Sequence, residues 1–102
     1  MLMNETTQSQ AEYTGQILRA ASGAIFVGSP TAGACGDVTR FGLPSGITVS
    51  FTGQNWQWPD GKRLQRVGLI PDVYARPTKA GLAAGREEVL EAALAYIYGV
   101  TN

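Results

Sequence analysis

One short apolar run, AIFV at residues 24–27, restricts the fold of this chain more than any other feature. Gly23 and Gly28 bound it. An unbroken apolar run of this length is typical of a strand buried on both faces, as in a parallel sheet. Parallel neighbours need a crossover element between them, so a helix and an earlier strand should precede the run.

The preceding residues carry the signals of that helix. SQAE at residues 9–12 has the Ser-x-x-Glu form of a capping box, and Gly23 is a typical helix stop. The apolar stripe at helical spacing consists of Tyr13, Ile17, Leu18 and Ala21. With Met1-Leu2-Met3 as the end of a buried strand, residues 2–27 predict a right-handed βαβ unit.

The remaining residues predict further α/β elements. Residues 28–37 (GSPTAGACGD) should form a loop with close backbone approaches, without the pattern of a phosphate-binding loop. A β-hairpin is expected around 38–53, where Ile47, Val49 and Phe51 alternate with polar residues as on a half-buried strand. A short strand near Val73 should follow. An amphipathic helix around 86–98 has one apolar face, formed by Val89, Leu90, Ala93, Leu94 and Ile97.

Composition excludes several classes of function. The hydrophobic fraction of 44% suits a globular core, and eight acidic residues balance eight basic ones. This balance provides no field to attract nucleic acid. No apolar run is long enough to span a bilayer. The chain contains no histidine and a single cysteine, which rules out an internal disulfide and a histidine-based triad within the chain and disfavours a zinc site.

Ser9 has two interpretations on spacing alone. As a helix N-cap it would bond a backbone N–H near Glu12 and contribute about 1 kcal/mol. As a nucleophile it would use the unpaired N–H groups and the positive dipole end of the helix to stabilise an oxyanion. Spacing favours the cap, because a serine nucleophile needs a nearby His or Lys and none lies in the local sequence.

Four other residues have structural interpretations. Trp56 and Trp58 should lie on the same side of an extended segment, and such a pair is more often core or interface than a ligand platform. Cys35 has no basic neighbour in sequence, so we expect it to be buried or inert. Asp72 after Pro71 is expected to make a turn hydrogen bond.

A family resemblance extends this interpretation. In the same order and at similar distances, four segments resemble the last part of the catalytic domain of S41 serine peptidases, the C-terminal-processing and tricorn-like enzymes. These segments are TQSQAEYT (7–14), FVGSPTAGACGDVTRFGLPSGITVSFTG (26–53), DGKRLQRVGLIPDV (60–73) and RPTKAGLAAGREEVLEAAL (76–94). The resemblance implies a ClpP/crotonase-like α/β fold, peptide-bond hydrolysis in polypeptides, no metal or organic cofactor, and a bacterial, periplasmic or exported location.

The resemblance also implies residue roles. Ser9 matches the family nucleophile, and the backbone N–H of Gln10 matches an oxyanion donor. Gln65 falls at a position where the tricorn-like branch has a Glu. The stretch that matches the family's Phe-Gly-Lys-Gly, residues 32–35 (AGAC), has no lysine. The histidine of the tricorn-like branch belongs to an earlier segment.

We therefore expect residues 1–102 to be a single partial domain, the C-terminal portion of a serine endopeptidase domain, inactive by itself. An uncovered sheet edge and apolar face should then drive homo-oligomerisation. The alternative function is a non-catalytic binding or assembly module on the same fold. An acyl-group enzyme of crotonase type is a weaker alternative, since no basic cluster is present to hold CoA phosphates.

Overall fold

The computed structural model describes residues 1–99. These residues form a mixed α/β fold with a three-stranded sheet and a separate two-stranded sheet. The elements are β1 (Leu2–Met3), α1 (Gln10–Ser22), β2 (Val27–Gly28), β3 (Val38–Gly42), β4 (Thr48–Thr52), β5 (Val73–Tyr74), α2 (Lys79–Ala83) and α3 (Glu88–Tyr98).

The main sheet has the strand order β1-β2-β5 and is parallel throughout. Leu2 pairs with Val27, and Val27 pairs with Val73. The predicted βαβ unit is therefore confirmed, with α1 as the crossover. The strand predicted at 24–27 begins later than expected, because regular pairing is confined to Val27–Gly28. Phe26 and Val27 are buried as expected.

β1 and β2 lie so close together at Gly28 that this position requires a glycine. Its φ is 137°, and a Cβ built on it would lie 1.8 Å from the carbonyl oxygen of Met3. No side chain fits in this space, so glycine is required at the centre of the sheet.

Helix α1 confirms the predicted element but buries a different face. Gly15 and Gln16 are buried, whereas Ile17 and Leu18 are 47% and 41% exposed. The apolar stripe noted in the sequence is therefore largely exposed. The Leu69 side chain packs directly over Gly15, where a Cβ would come within 2.4 Å of it, so the residue without a side chain faces the core.

Strands β3 and β4 form the predicted hairpin, whose packing is almost entirely between its own two strands. Cross-strand partners share a face, so Phe41 lies beside Val49 and contacts Phe51 edge-on at 6.2 Å between ring centroids. The half-buried strand predicted at 47–52 is instead largely exposed, since Ile47 is 59% and Phe51 48% accessible. The described residues extend over 59 × 36 × 15 Å.

The C-terminal segment contains one helix that the sequence did not predict. α2 begins after Thr78, whose hydroxyl accepts the N–H of Gly81 at 2.9 Å. The Glu88 carboxylate accepts both the N–H and the hydroxyl of Thr78, which ties α2 to the start of α3. α3 packs on β1 and β2 as the expected C-terminal helix, although its apolar residue Ile97 is 71% exposed.

The core lies between α1, the main sheet and the loop that follows the hairpin. It consists of Met3, Phe26, Cys35, Leu64 and Leu69, with Met1, Trp56 and Trp58 packed against it. Asp72 joins the core to α1 by accepting the Phe26 N–H at 2.7 Å and pairing with Arg19. The local turn bond expected of Asp72 is therefore replaced by a long-range one. Among the described residues no helix is long and apolar enough to cross a membrane.

Candidate active site

Ser9 lies at the entry to α1 in a backbone conformation that non-glycine residues rarely adopt. Its φ is 54° and its ψ is −119°. Such a conformation costs on the order of 1–3 kcal/mol and persists only where the surroundings hold it. Here the Ser9 N–H donates to the carbonyl oxygen of Ala34 at 2.9 Å and to the Glu12 carboxylate at 3.0 Å. A strained turn from a strand into a helix is also how the α/β-hydrolases present a serine nucleophile.

The predicted capping box is present in altered form. Glu12 accepts the Ser9 N–H, as the motif requires. Both halves of the box are in place, with the Ser9 side chain at the Glu12 N–H, but this contact falls short of a side-chain cap hydrogen bond, and the Glu12 N–H also bonds to the Ser9 carbonyl oxygen at 2.9 Å. The hydroxyl thus faces the first turn of the helix and is only weakly held there.

Glu12 is fully buried and acts as the centre of a hydrogen-bond network. Four donors surround its carboxylate: Ser9 N–H at 3.0 Å, the Thr31 hydroxyl at 2.5 Å, Gly33 N–H at 2.7 Å and Ala34 N–H at 3.0 Å. A buried carboxylate is stable when its lone pairs are satisfied in this way. The network fixes the loop against the N-terminus of α1.

The Gln10 N–H, in the first turn of α1, has no hydrogen-bond acceptor among residues 1–99. The first N–H groups of a helix have no intrahelical partner, and the helix dipole adds positive potential there. Ser9 and Gln10 thus place a hydroxyl and a free N–H side by side. This is the arrangement that an oxyanion at an acyl carbon would need.

Both residues line a cavity of about 280 Å³. Its lining residues are Ser9, Gln10, Tyr13, Cys35, Asp37, Gln54 and Trp56. The rings of Tyr13 and Trp56 pack with centroids 4.3 Å apart and form the aromatic wall. Tyr13 belongs to the apolar stripe of α1, and its position in this cavity agrees with its 37% exposure.

Cys35 and Gln65 stabilise the edge of this cavity. The side-chain oxygen of Gln65 accepts the Cys35 N–H at 2.9 Å, and Gln65 itself does not line the cavity. Its family-derived role at the site stays a prediction. Cys35 is buried, as expected, and burial together with the Glu12 charge raises the pKa of its thiol.

Asp37 lines the cavity and was missed by sequence reasoning. Its φ is 55°, and its carboxylate accepts the N–H of Val38 at 2.8 Å. The only signal in the sequence was its place at the end of a glycine-rich loop. The hairpin base at Asp37 and Gln54 thereby forms one wall of the Ser9 cavity.

The two tryptophans, predicted to share one side, line different cavities. Trp56 faces Ser9, whereas Trp58 lines a second cavity with Arg19 and Lys62. The chain contains no histidine, and neither lysine lines the Ser9 cavity. Within residues 1–99, no three Cys, Asp or Glu side chains converge as a metal-binding group.

A parallel sheet crossed by α1, with a strained serine at the start of that helix, defines the class: a mixed α/β protein with a serine-bearing cavity beside the sheet. The chain belongs to peptidase family S41, whose family model matches residues 1–75. A comparison with curated proteins found no match.

Solved structures of peptidases have the same fold. A candidate peptidase from Parabacteroides merdae superposes with a TM-score of 0.83 and 23% identity, over 93% of this chain and 30% of that one. Mature CPAF complexed with lactacystin superposes with a TM-score of 0.64 and 33% identity, over 72% of this chain and 15% of that one. The tricorn protease superposes with a TM-score of 0.80 and 18% identity, over 99% of this chain and 10% of that one. This chain therefore spans less than a third of the length of these proteins.

Proposed function

We propose that this chain supplies the nucleophile and one oxyanion donor of a serine endopeptidase that acts on polypeptides. The observation that carries the proposal is the strained backbone of Ser9 next to Gln10, whose N–H has no acceptor among residues 1–99; both residues line one cavity. Membership of family S41 supports the same assignment. A cap serine would need neither the strain nor the cavity.

The chemistry follows from this geometry. The Ser9 Oγ attacks the scissile carbonyl carbon while a base takes its proton, and the carbonyl oxygen becomes an oxyanion. The Gln10 N–H and the positive end of α1 stabilise that charge. The amine leaves with the proton, and water then releases the acyl group from Ser9.

The proton-accepting base is the missing part of this mechanism. No histidine occurs in the chain, and neither lysine lines the cavity. The carboxylate of the cavity, Asp37, accepts the N–H of Val38, and the Cys35 thiol has a raised pKa and resists ionisation. We therefore propose that the base comes from outside these residues and that the chain does not hydrolyse peptides alone. The absence of a lysine or histidine at the Ser9 cavity also favours the second candidate, a non-catalytic binding or assembly module.

A cysteine scan tests the site without needing the base. In a Cys35→Ala background, we would compare Ser9→Cys with Ser45→Cys, an exposed control in the hairpin turn. Helix N-termini lower thiol pKa values, so the rate of iodoacetamide alkylation should reach its midpoint at a lower pH for Ser9→Cys. Equal midpoints, or a higher one for Ser9→Cys, would remove the oxyanion-stabilising role from this position.

Fluorophosphonate labelling tests whether the chain lacks its base. The chain alone should stay unlabelled, as should Ser9→Ala. Labelling of the chain that disappears in Ser9→Ala but persists in Ser45→Ala would show that a base is available within the chain or its oligomer. The incomplete-site proposal would then be wrong, and the peptidase assignment would hold for the chain itself.

A further inference from the structure

A second cavity lies near the C-terminal end of α1, at the end of the helix opposite Ser9. Its volume is about 570 Å³, within the range of small-molecule sites. Its lining consists of Arg19, Phe26, Trp58, Pro59, Asp60, Lys62, Arg63, Val67, Gly68 and Ile70. The proposed peptidase chemistry uses none of these residues.

One part of the cavity is apolar. Trp58 and Pro59 form one side, and Val67 and Ile70 are 48% and 57% exposed. Aliphatic and aromatic surface gathered in a concavity stabilises a ligand with an apolar body by removing both surfaces from water.

The other part of the cavity is cationic. Arg19, Lys62 and Arg63 contribute three positive charges, and Asp60 contributes one negative charge. Lys62 pairs with Asp60 at 3.6 Å, whereas the Arg63 side chain has no ion pair among residues 1–99. Arg19 is balanced by Asp72 in the same way, so the excess of positive charge at the cavity is centred on Arg63.

Arg19 is held in place at the edge of this cavity. Its guanidinium pairs with Asp72 at 2.5 Å and lies 4.1 Å over the Phe26 ring. Its Nε is buried and has no hydrogen-bond partner in the described part of the chain, so this atom is not exposed to the cavity. Arg19 therefore forms a fixed part of the wall, and Arg63 carries the positive charge that a ligand can reach.

We propose that this cavity binds an organic carboxylate with an apolar body. The carboxylate lies against the guanidinium of Arg63, since the planar guanidinium matches a carboxylate in shape and charge. The apolar body lies against Trp58, Val67 and Ile70. This site is independent of the Ser9 chemistry.

The test is a ligand series observed by amide NMR shifts on the 102-residue chain. Phenylbutanoate, phenylbutanol and phenylbutylamine share one body and differ in charge, and inorganic phosphate supplies the charge without the body. Phenylbutanoate should bind with a Kd of about 1 mM or tighter and shift residues 58–70. The alcohol, the amine and phosphate should each bind at least about fivefold more weakly.

Two arginine variants locate the charge. Arg63→Gln should weaken phenylbutanoate binding by about fivefold or more. Arg40→Gln, an exposed arginine on the hairpin, should leave it unchanged. The proposal is overturned if phenylbutanoate causes no shifts, if it shifts the Ser9 cavity or the hairpin instead, if all probes bind alike, or if both variants behave the same.

Discussion

Glu12 shows how one residue acquired a role beyond its motif. The capping box accounts for one of its hydrogen bonds, and the other three come from Thr31, Gly33 and Ala34, about twenty residues later in the chain. The carboxylate therefore fixes the loop that accepts the Ser9 N–H through Ala34. The strained Ser9 conformation depends on this residue.

Glu12→Gln should destabilise the chain by roughly 2–4 kcal/mol, because an amide NH₂ would face donors where the carboxylate now accepts. Urea unfolding followed by circular dichroism measures the change. Glu87→Gln, at an exposed glutamate without a side-chain cap bond, is the control and should change stability by less than about 0.5 kcal/mol. An equal loss of unfolding free energy in both variants would show that the hydrogen bonds of Glu12 do not stabilise the fold.

Cys35 predicts a pH dependence. Burial raises the pKa of its thiol in the folded chain above that of the unfolded thiol. The contribution of the Cys35 thiol to the free energy of unfolding is therefore fully present at pH values below the pKa of the thiol in the unfolded chain. It is lost as the pH rises toward the pKa of the thiol in the folded chain. Between about pH 8 and 10, the unfolding free energy should fall more steeply for the parent chain than for Cys35→Ala. Parallel pH profiles would show that the thiol ionises equally in both states.

At the element scale, the parallel sheet depends on the contact between β1 and β2. Gly28→Ala would place a methyl group against the carbonyl of Met3 at a positive φ. We expect a loss of more than about 3 kcal/mol or failure to fold, measured by chemical unfolding and by the yield of soluble chain.

The matched control is Gly42→Ala at the end of β3. No atom lies within 4 Å of the position that the new methyl group would take, and the φ of this glycine is not positive. Its replacement should be neutral within about 0.5 kcal/mol. If Gly28→Ala were equally neutral, β1 and β2 would not be as close in solution as they are here.

At the scale of the whole molecule, the hairpin is the main feature without a covering element. Two-stranded hairpins are marginally stable alone, and one face of this one carries Phe41, Val49 and Phe51. We propose that the chain associates with itself through this face, because apolar surface and free strand edges favour pairing.

Sedimentation velocity should therefore give a mass that rises with concentration, and Phe41→Ser should shift the chain toward monomer. Val38→Ser, at a residue 54% exposed on the opposite hairpin face, is the control and should not change the association. A mass independent of concentration in the parent chain would refute self-association. Equal effects of both variants would show that the interface is not the hairpin face that carries Phe41.

The sequence by itself determined the elements that depend on local patterns. The helix after Ser9, the hairpin turn and the C-terminal helix follow from capping, periodicity and glycine positions, and the structure contains all three. The parallel pairing of β1 and β2 followed from an apolar run preceded by a crossover helix. The capping box correctly marked Ser9 and Glu12 as neighbours.

Only the tertiary structure decided which faces are buried and what surrounds Ser9. Helical spacing cannot show that Leu69 would cover Gly15 instead of the Ile17 stripe, nor that the hairpin would extend away from the core. Asp37, Gln54 and Trp56 reach the Ser9 cavity from positions 28–47 residues away in sequence. Local patterns encode hydrogen bonds within a turn of chain, whereas cavities arise from long-range packing, and so their lining could not be derived from spacing.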